Sequence, residues 1–185
     1  MITKLLFLDI DGVLTSDKSG TSYHCEDPSA YRPDQECKAN VLKVASAVPG
    51  LKVVVHSSWT THTQEDRPCF MYHGQVFDSP LNGVCQWLIE YDLLLGLTSP
   101  GKRNENGSRI IKKDKILEWL NANKERLGPN PRVAVIDDDI PFNGLPDFNC
   151  QSFPDLAEIR FFPINPNEGF SEKDAGRVIE WFNRR

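Results

Sequence analysis

Lys4-Leu5-Leu6-Phe7-Leu8-Asp9-Ile10-Asp11-Gly12-Val13-Leu14-Thr15 is the stretch on which the reading of this chain turns. Leu5 to Leu8 form an uninterrupted apolar run, which predicts a short strand buried on both faces. The run ends in two carboxylates one residue apart, followed by a glycine. A buried strand gains no stability from charge at its end. Two adjacent negative charges repel, and taking them out of water costs free energy unless a proton or cation compensates. A divalent cation with a preference for hard oxygen ligands, such as Mg²⁺, is the simplest compensation. Gly12 permits a sharp turn or a close backbone approach at that point.

The bulk numbers are those of a soluble globular chain. Its 185 residues fit a single domain, 1–185, with a full-sized core. Hydrophobic residues make up 39% and charged residues 25%, which excludes a disordered polymer. The net charge of −5 argues against a surface built throughout for nucleic acid, though not against a local basic patch. Cys25, Cys37, Cys69, Cys85 and Cys150 lack zinc-ligand spacing, and their odd number does not suit a closed disulfide framework. A reducing cytoplasm is the expected location. The N-terminal apolar run is too short for a signal peptide, and nothing approaches a membrane span.

Working outward, residues 13–33 read as a loop that can hang over the acidic motif. Asp34 is a helix N-cap, and Cys37, Val41, Val44, Ala45 and Val48 follow helical spacing up to a stop at Pro49-Gly50. Leu51 to Val55 predicts a second buried strand running into His56-Ser57-Ser58-Trp59. Phe70 to Phe77 suggests a hairpin turning at His73-Gly74. Ser79-Pro80 starts a helix whose stripe is Leu81, Val84, Leu88 and Tyr91. Leu93 to Leu95 predicts a third strand. Residues 98–109 read as a loop, and a helix is expected from about Lys112 to Leu127, stopped by Gly128-Pro129. Val133 to Ile136 predicts a fourth buried strand, ending in Asp137-Asp138-Asp139. Arg160 to Ile164 predicts a fifth, with Pro163 placing it at or near an edge. Ser171 and Asp174 form a capping-box variant before a last helix with Ala175, Val178, Ile179 and Phe182 on its buried stripe.

Strands alternating with helices imply an α/β fold, a mainly parallel five-stranded sheet between two helical layers. Ligands bind such sheets at the carboxyl ends of the strands. Asp9 and Asp11, Ser57 and Ser58, and Asp137 and Asp138 all fall at predicted strand ends, so three clusters distant in sequence meet at one edge.

That pattern resembles the haloacid dehalogenase (HAD) superfamily, whose motifs are an apolar run with Asp-x-Asp-Gly, a Ser or Thr after the second strand, a lone basic residue at a helix start, and an apolar strand with Asp-Asp. Val-Val-Val-His-Ser-Ser-Trp and Lys112-x-x-x-Ile116-x-x-Trp119-Leu120 are similar to a HAD subfamily of Swiss-army-knife RNA-repair proteins. Thr60 stands where that subfamily often has Arg. The resemblance covers residues 5–139 and the closing helix, while residues 60–108 match loosely.

The resemblance implies a Rossmann-like three-layer sandwich without a full cap domain, acting as a Mg²⁺-dependent phosphatase. Asp9 would be the nucleophile that forms an aspartyl-phosphate, and Asp11 the general acid and base. Ser57, Ser58 and Lys112 would bind phosphate, with Lys113 and Lys115 as alternatives to Lys112. Mg²⁺ would sit on the Asp9 carboxylate, the Asp11 backbone carbonyl and Asp137, with Asp138 direct or through water. The superfamily's transport ATPases have Thr at the second acidic position, and its dehalogenases lack the acid, so Asp11 points to transfer to water. None of His24, His56, His62 and His73 has metal-ligand spacing. The substrate reading stays open between RNA or DNA ends and a nucleotide or sugar phosphate; a non-catalytic phosphate- or partner-binding module is a third reading. Lys102, Arg103, Arg109, Lys112, Lys113 and Lys115 against Glu105 and Asp114 leave a local charge of +4, suited to a phosphodiester backbone.

Overall fold

A computed structural model of the chain describes residues 1–16, 18, 33–57, 70–72, 75–77, 79–98, 112–139, 151–153 and 157–184. Its elements in order are β1 (Ile2–Leu8), α1 (Gln35–Ala47), β2 (Leu51–Val55), β3 (Phe70–Tyr72), β4 (Gln75–Phe77), α2 (Ser79–Glu90), β5 (Leu94–Leu97), α3 (Lys112–Ala122), β6 (Leu127–Asp137), β7 (Gln151–Phe153), β8 (Ala157–Pro163) and α4 (Glu172–Asn183). The main sheet runs β5-β2-β1-β6-β8-β7. Its first five strands are parallel, as expected for an α/β sandwich, and β7 adds a short antiparallel strand at the edge. β3 and β4 form a separate antiparallel hairpin with Tyr72 paired to Gln75, on the segment where a hairpin was expected.

Leu5 to Leu8 are fully buried, and the pleat sends them alternately to two cores. Leu6 and Leu8 join Val41 and Val44 of α1, Val84 and Leu88 of α2, and Ala175 and Val178 of α4. Leu5 and Phe7 join Ile116, Trp119 and Leu120 of α3. Among the described residues, three helices thus cover one face and α3 covers the other. Burial of this apolar surface, at about 25 cal/mol per Å², is the main force holding the layers together.

The connections run from β1 to β2 to β5 on one side, then cross through α3 to β6 and on to β8. The direction of winding reverses between β1 and β6, and in open α/β sheets that crevice is where ligands bind. Leu8 is in register with Ile136, and the Asp9 amide donates to the Ile136 carbonyl at 3.1 Å. Asp9 and Asp137 therefore flank the switch point.

Two expectations need correction. The helix after Lys112 ends at Ala122, not near Leu127; a single 3₁₀ turn (Lys124–Arg126) intervenes, and Leu127 pairs with Ile2 as the first residue of β6. Leu127 is buried on the α3 face in either case, so its apolar character does not distinguish helix from strand. Tyr91 is 56% exposed because it lies past the end of α2, and Trp87 takes its place beside Val84 and Leu88. β8 lies near an edge, as expected, with β7 outside it. Pro163 is tolerated there because β7 pairs only with Ala157–Ile159, and the next amide, that of Ile164, makes the bond to Asp137. The five parallel strands are as expected, and β7 adds a sixth, antiparallel one. The caps are as read: Asp34 accepts from the Glu36 amide, and Ser171 and Asp174 form a capping box.

Candidate active site

β1 ends in Asp9, and the chain then folds into a tight turn in which the amides of Val13, Leu14 and Thr15 all approach the Ile10 carbonyl. Gly12 has φ +68°, a left-handed conformation that side chains other than glycine adopt at a cost. A Cβ there would lie 2.3 Å from Asp138 Oδ2, so glycine lets the loop after β1 press against the loop after β6. Asp11 is half-buried on this turn.

Asp9 is 3% exposed. Its Oδ1 accepts from the Ile10 amide at 2.8 Å, and its Oδ2 accepts from Lys112 Nζ at 2.6 Å. The same ammonium donates to both oxygens of Asp137 at 2.9 Å. Asp137 Oδ1 also accepts from the Asp139 amide at 2.8 Å, and Asp137 Oδ2 faces His56 Nε2 at 3.4 Å. Lys112 is the first residue of α3, whose Trp119 packs edge-on against Phe7 at 5.6 Å. That apolar contact seats the helix so that its first residue reaches across the switch point.

The charges are strongly coupled. Burial, with Asp137 adding to it, pushes Asp9 up to about 8 against the pull of Lys112. Burial and Asp137 raise Asp138 to about 6. Burial alone would raise Asp137 too, but His56 and Lys112 outweigh it and hold that carboxyl below its ordinary range. Burial opposes the charge on Lys112, yet Asp9 and Asp137 dominate and keep it firmly protonated. Burial holds His56 down, in its neutral form.

Asp9, Asp137 and Asp138 each offer an oxygen, all within 4.8 Å of one another. The Lys112 ammonium bonds two of these three carboxylates, and Asp9 and Asp138 are pushed toward protonation. This all-oxygen set fits a hard divalent cation such as Mg²⁺. The Asp11 side chain is outside that trio. Ser57 is buried at the end of β2, next to His56, while Ser58 lies outside the described residues. Of the candidate lysines, Lys112 makes the carboxylate contacts; Lys115 is buried at 6% exposure on the same helix. Lys102, Arg103 and Arg109 lie outside the described residues. The basic stretch therefore presents less free charge than its count suggests, since Lys112 and Lys115 point inward.

Over residues 5–175 the chain matches the family described as the HAD domain in Swiss Army Knife RNA repair proteins. It belongs to that family. Two solved structures similar to this HAD domain are both of the HAD domain of effector protein Lem4 from Legionella pneumophila. The first shows 13% identity and a TM-score of 0.47, covering 98% of this chain and 94% of that one. The second, of an inactive mutant, shows 12% identity and a TM-score of 0.48, with full coverage of both chains. No curated protein matches the chain. Among the described residues, no helix of this HAD domain is long and apolar enough to cross a membrane.

The sequence reading passed over His56, which is 1% exposed and turned toward Asp137. The signal was a polar residue directly continuing the Val53-Val54-Val55 run, where the sheet's pleat still applies. Thr98, one residue past β5, is buried in the same way; its amide donates to the Val55 carbonyl.

Proposed function

We propose that this HAD domain, read as one domain over 1–185, is a Mg²⁺-dependent phosphatase that hydrolyses phosphomonoesters through an aspartyl-phosphate on Asp9. The observation that carries the reading is the ammonium of Lys112 held at 2.6 Å from Asp9 and 2.9 Å from Asp137, at the switch point of the sheet. A buried carboxylate can approach a phosphate dianion only where cations offset both charges, and Lys112 supplies one of them. Asp9, Asp137, Asp138 and the Asp11 carbonyl would hold Mg²⁺, which when bound neutralises charge on the phosphate oxygens.

The chain's own residues would perform the chemistry. An Asp9 oxygen forms a bond to phosphorus as the bond to the ester oxygen breaks, and Asp11 gives its proton to that leaving oxygen. Asp11, now a carboxylate, takes a proton from water. The water oxygen bonds to phosphorus, the Asp9–phosphorus bond breaks, and inorganic phosphate leaves. Ser57 and Ser58 would donate hydrogen bonds to phosphate oxygens, and Lys112 would turn its ammonium from the carboxylates toward the same group.

Turnover of para-nitrophenyl phosphate with Mg²⁺, lost in chelator, is the expected result. Binding of inorganic phosphate without turnover of any phosphomonoester would leave the non-catalytic reading instead. As substrate we favour a nucleic-acid end over a metabolite, because the family to which the chain belongs is that of RNA-repair proteins. Dephosphorylation of 5′- and 3′-phosphorylated oligonucleotides should weaken as salt rises and in Lys102/Arg103→Ala. Activity confined to mononucleotides or sugar phosphates would make the protein a small-molecule phosphatase.

A further inference from the structure

His56 is fully enclosed, yet neither ring nitrogen makes a hydrogen bond among the described residues. A buried imidazole without partners is costly, so its orientation calls for a reason. The ring stands edge-on to Phe7 at 6.4 Å, and Phe7 in turn stands edge-on to Trp119 of α3. This aromatic chain fixes the imidazole in a plane that aims Nε2 at Asp137 Oδ2, 3.4 Å away. Each ring nitrogen of an imidazole presents either a hydrogen or a lone pair, and the geometry decides which one Nε2 presents to Asp137. A lone pair on Nε2 would face a carboxylate oxygen and repel it. A hydrogen there is attracted.

In the present arrangement Lys112 holds that same oxygen at 2.9 Å, and the imidazole stands just outside bonding distance. Under the phosphatase reading, on which this inference rests, Lys112 turns toward phosphate during the reaction. Asp137 Oδ2 then loses its ammonium, and His56 is the next donor facing it.

We propose that His56 is a positioning residue: its Nε2–H takes over Asp137 Oδ2 when Lys112 leaves, and keeps that carboxylate turned toward Asp9 and Asp138, ready for a divalent cation. Once its ion pair opened, Asp137 would keep the Asp139 amide on Oδ1, and Oδ2 would be left without a donor unless His56 supplied one. Donors placed behind metal-binding carboxylates orient them in this way, and their loss weakens metal binding about 10- to 100-fold.

Three variants and one spectrum test the proposal. His56→Phe keeps the ring and its contact with Phe7 but removes the donor. The Nε2 of Gln can reach the place of the histidine Nε2, whereas the shorter Asn cannot. Calorimetric titration with Mg²⁺ should show His56→Phe about 10- to 100-fold weaker than wild type, His56→Gln largely restored, and His56→Asn as weak as Phe. Melting temperatures show whether each variant folds; should His56→Phe fail to, the Gln and Asn pair carries the comparison. Unchanged Mg²⁺ affinity in His56→Phe, or Asn restoring as well as Gln, would overturn the proposal and leave the phosphatase reading standing. A wild type that binds no Mg²⁺ would overturn both. Independently of metal, nitrogen-detected NMR should find hydrogen on Nε2 of His56; hydrogen on Nδ1 would also overturn the assignment.

Discussion

The ammonium of Lys112 bridges Asp9 and Asp137, two carboxylates that end neighbouring strands and that repel each other without it. One cation thereby holds together two strand ends belonging to oppositely winding halves of the sheet. Lys112→Met should abolish turnover. It should also lower the stability of the metal-free protein by up to about 3 kcal/mol, less than for a fully sealed pair because Asp9 can protonate instead. Saturating Mg²⁺ should recover most of that stability, since the cation replaces the missing charge. Urea titrations of both proteins, with Mg²⁺ and with chelator, measure the two effects. An equal loss under both conditions would mean that Lys112 acts through packing alone.

The acidic cluster also fixes how stability depends on pH. Asp9 lies at about 8 and Asp138 at about 6 in the folded protein, against an ordinary 3.8. A carboxyl raised by folding contributes stability that is complete below its unfolded value and is lost as pH rises through its folded value. These two carboxyls should therefore cost metal-free protein stability from about pH 4 to about pH 8, a trend that His56, whose charging burial resists, opposes below its ordinary 6.5. Asp137 is depressed and acts in the opposite sense, its contribution being lost only as pH falls below the ordinary carboxyl range. Mg²⁺ binds the deprotonated carboxylates, so it should flatten the decline, and its affinity should rise with pH up to about 8. Melting curves in chelator and in Mg²⁺ over this range test the sign. A metal-free melting temperature that climbs steadily toward pH 8 would contradict it.

Asp9 and Asp11 separate by leaving group. Asp9→Asn should reduce turnover by about 10³-fold or more on every substrate, because an amide is a poor nucleophile. It should leave the metal-free fold almost as stable, since Asp9 is already pushed toward its neutral form. Asp11→Asn should cost more on an alkyl phosphate than on para-nitrophenyl phosphate, whose phenolate leaves with little protonation. Equal losses on the two substrates would remove the general-acid role from Asp11.

What the sequence displayed and what it concealed have physical causes. Leu5–Leu8 and Val133–Ile136 were legible as buried strands because both faces of a parallel strand must be apolar, and the acidic residues that follow them were legible because buried like charges need a reason. Lys112 was readable only as one of three close lysines; its neighbour Lys115 turned out to be buried too. A helix face alone does not tell which lysine reaches over the strand ends. β7 has three residues and no periodicity to betray it. His56 carried no metal-ligand spacing to single it out, but the hydrogen bond from its amide to the Leu8 carbonyl carries the sheet one residue further and draws its side chain inside.

Gly12 and Asp138 provide the last test. Alanine at position 12 would have to adopt φ +68° and place its Cβ 2.3 Å from Asp138 Oδ2 and 2.4 Å from Asp138 Cγ. Backbone strain of this kind costs about 1–3 kcal/mol, and the clash must be relieved by swinging the Asp138 side chain away. Gly12→Ala should therefore weaken Mg²⁺ binding nearly as much as Asp138→Ala does, although it removes no ligand. The two changes should not add. In Asp138→Ala the colliding carboxyl is gone and only its Cβ, at 3.0 Å, remains near position 12, so Gly12→Ala should cost less stability there than in wild type. A double-mutant cycle in urea, repeated with Mg²⁺ titrations, measures the coupling. Strict additivity in both would mean that the loop after β1 does not set the position of Asp138.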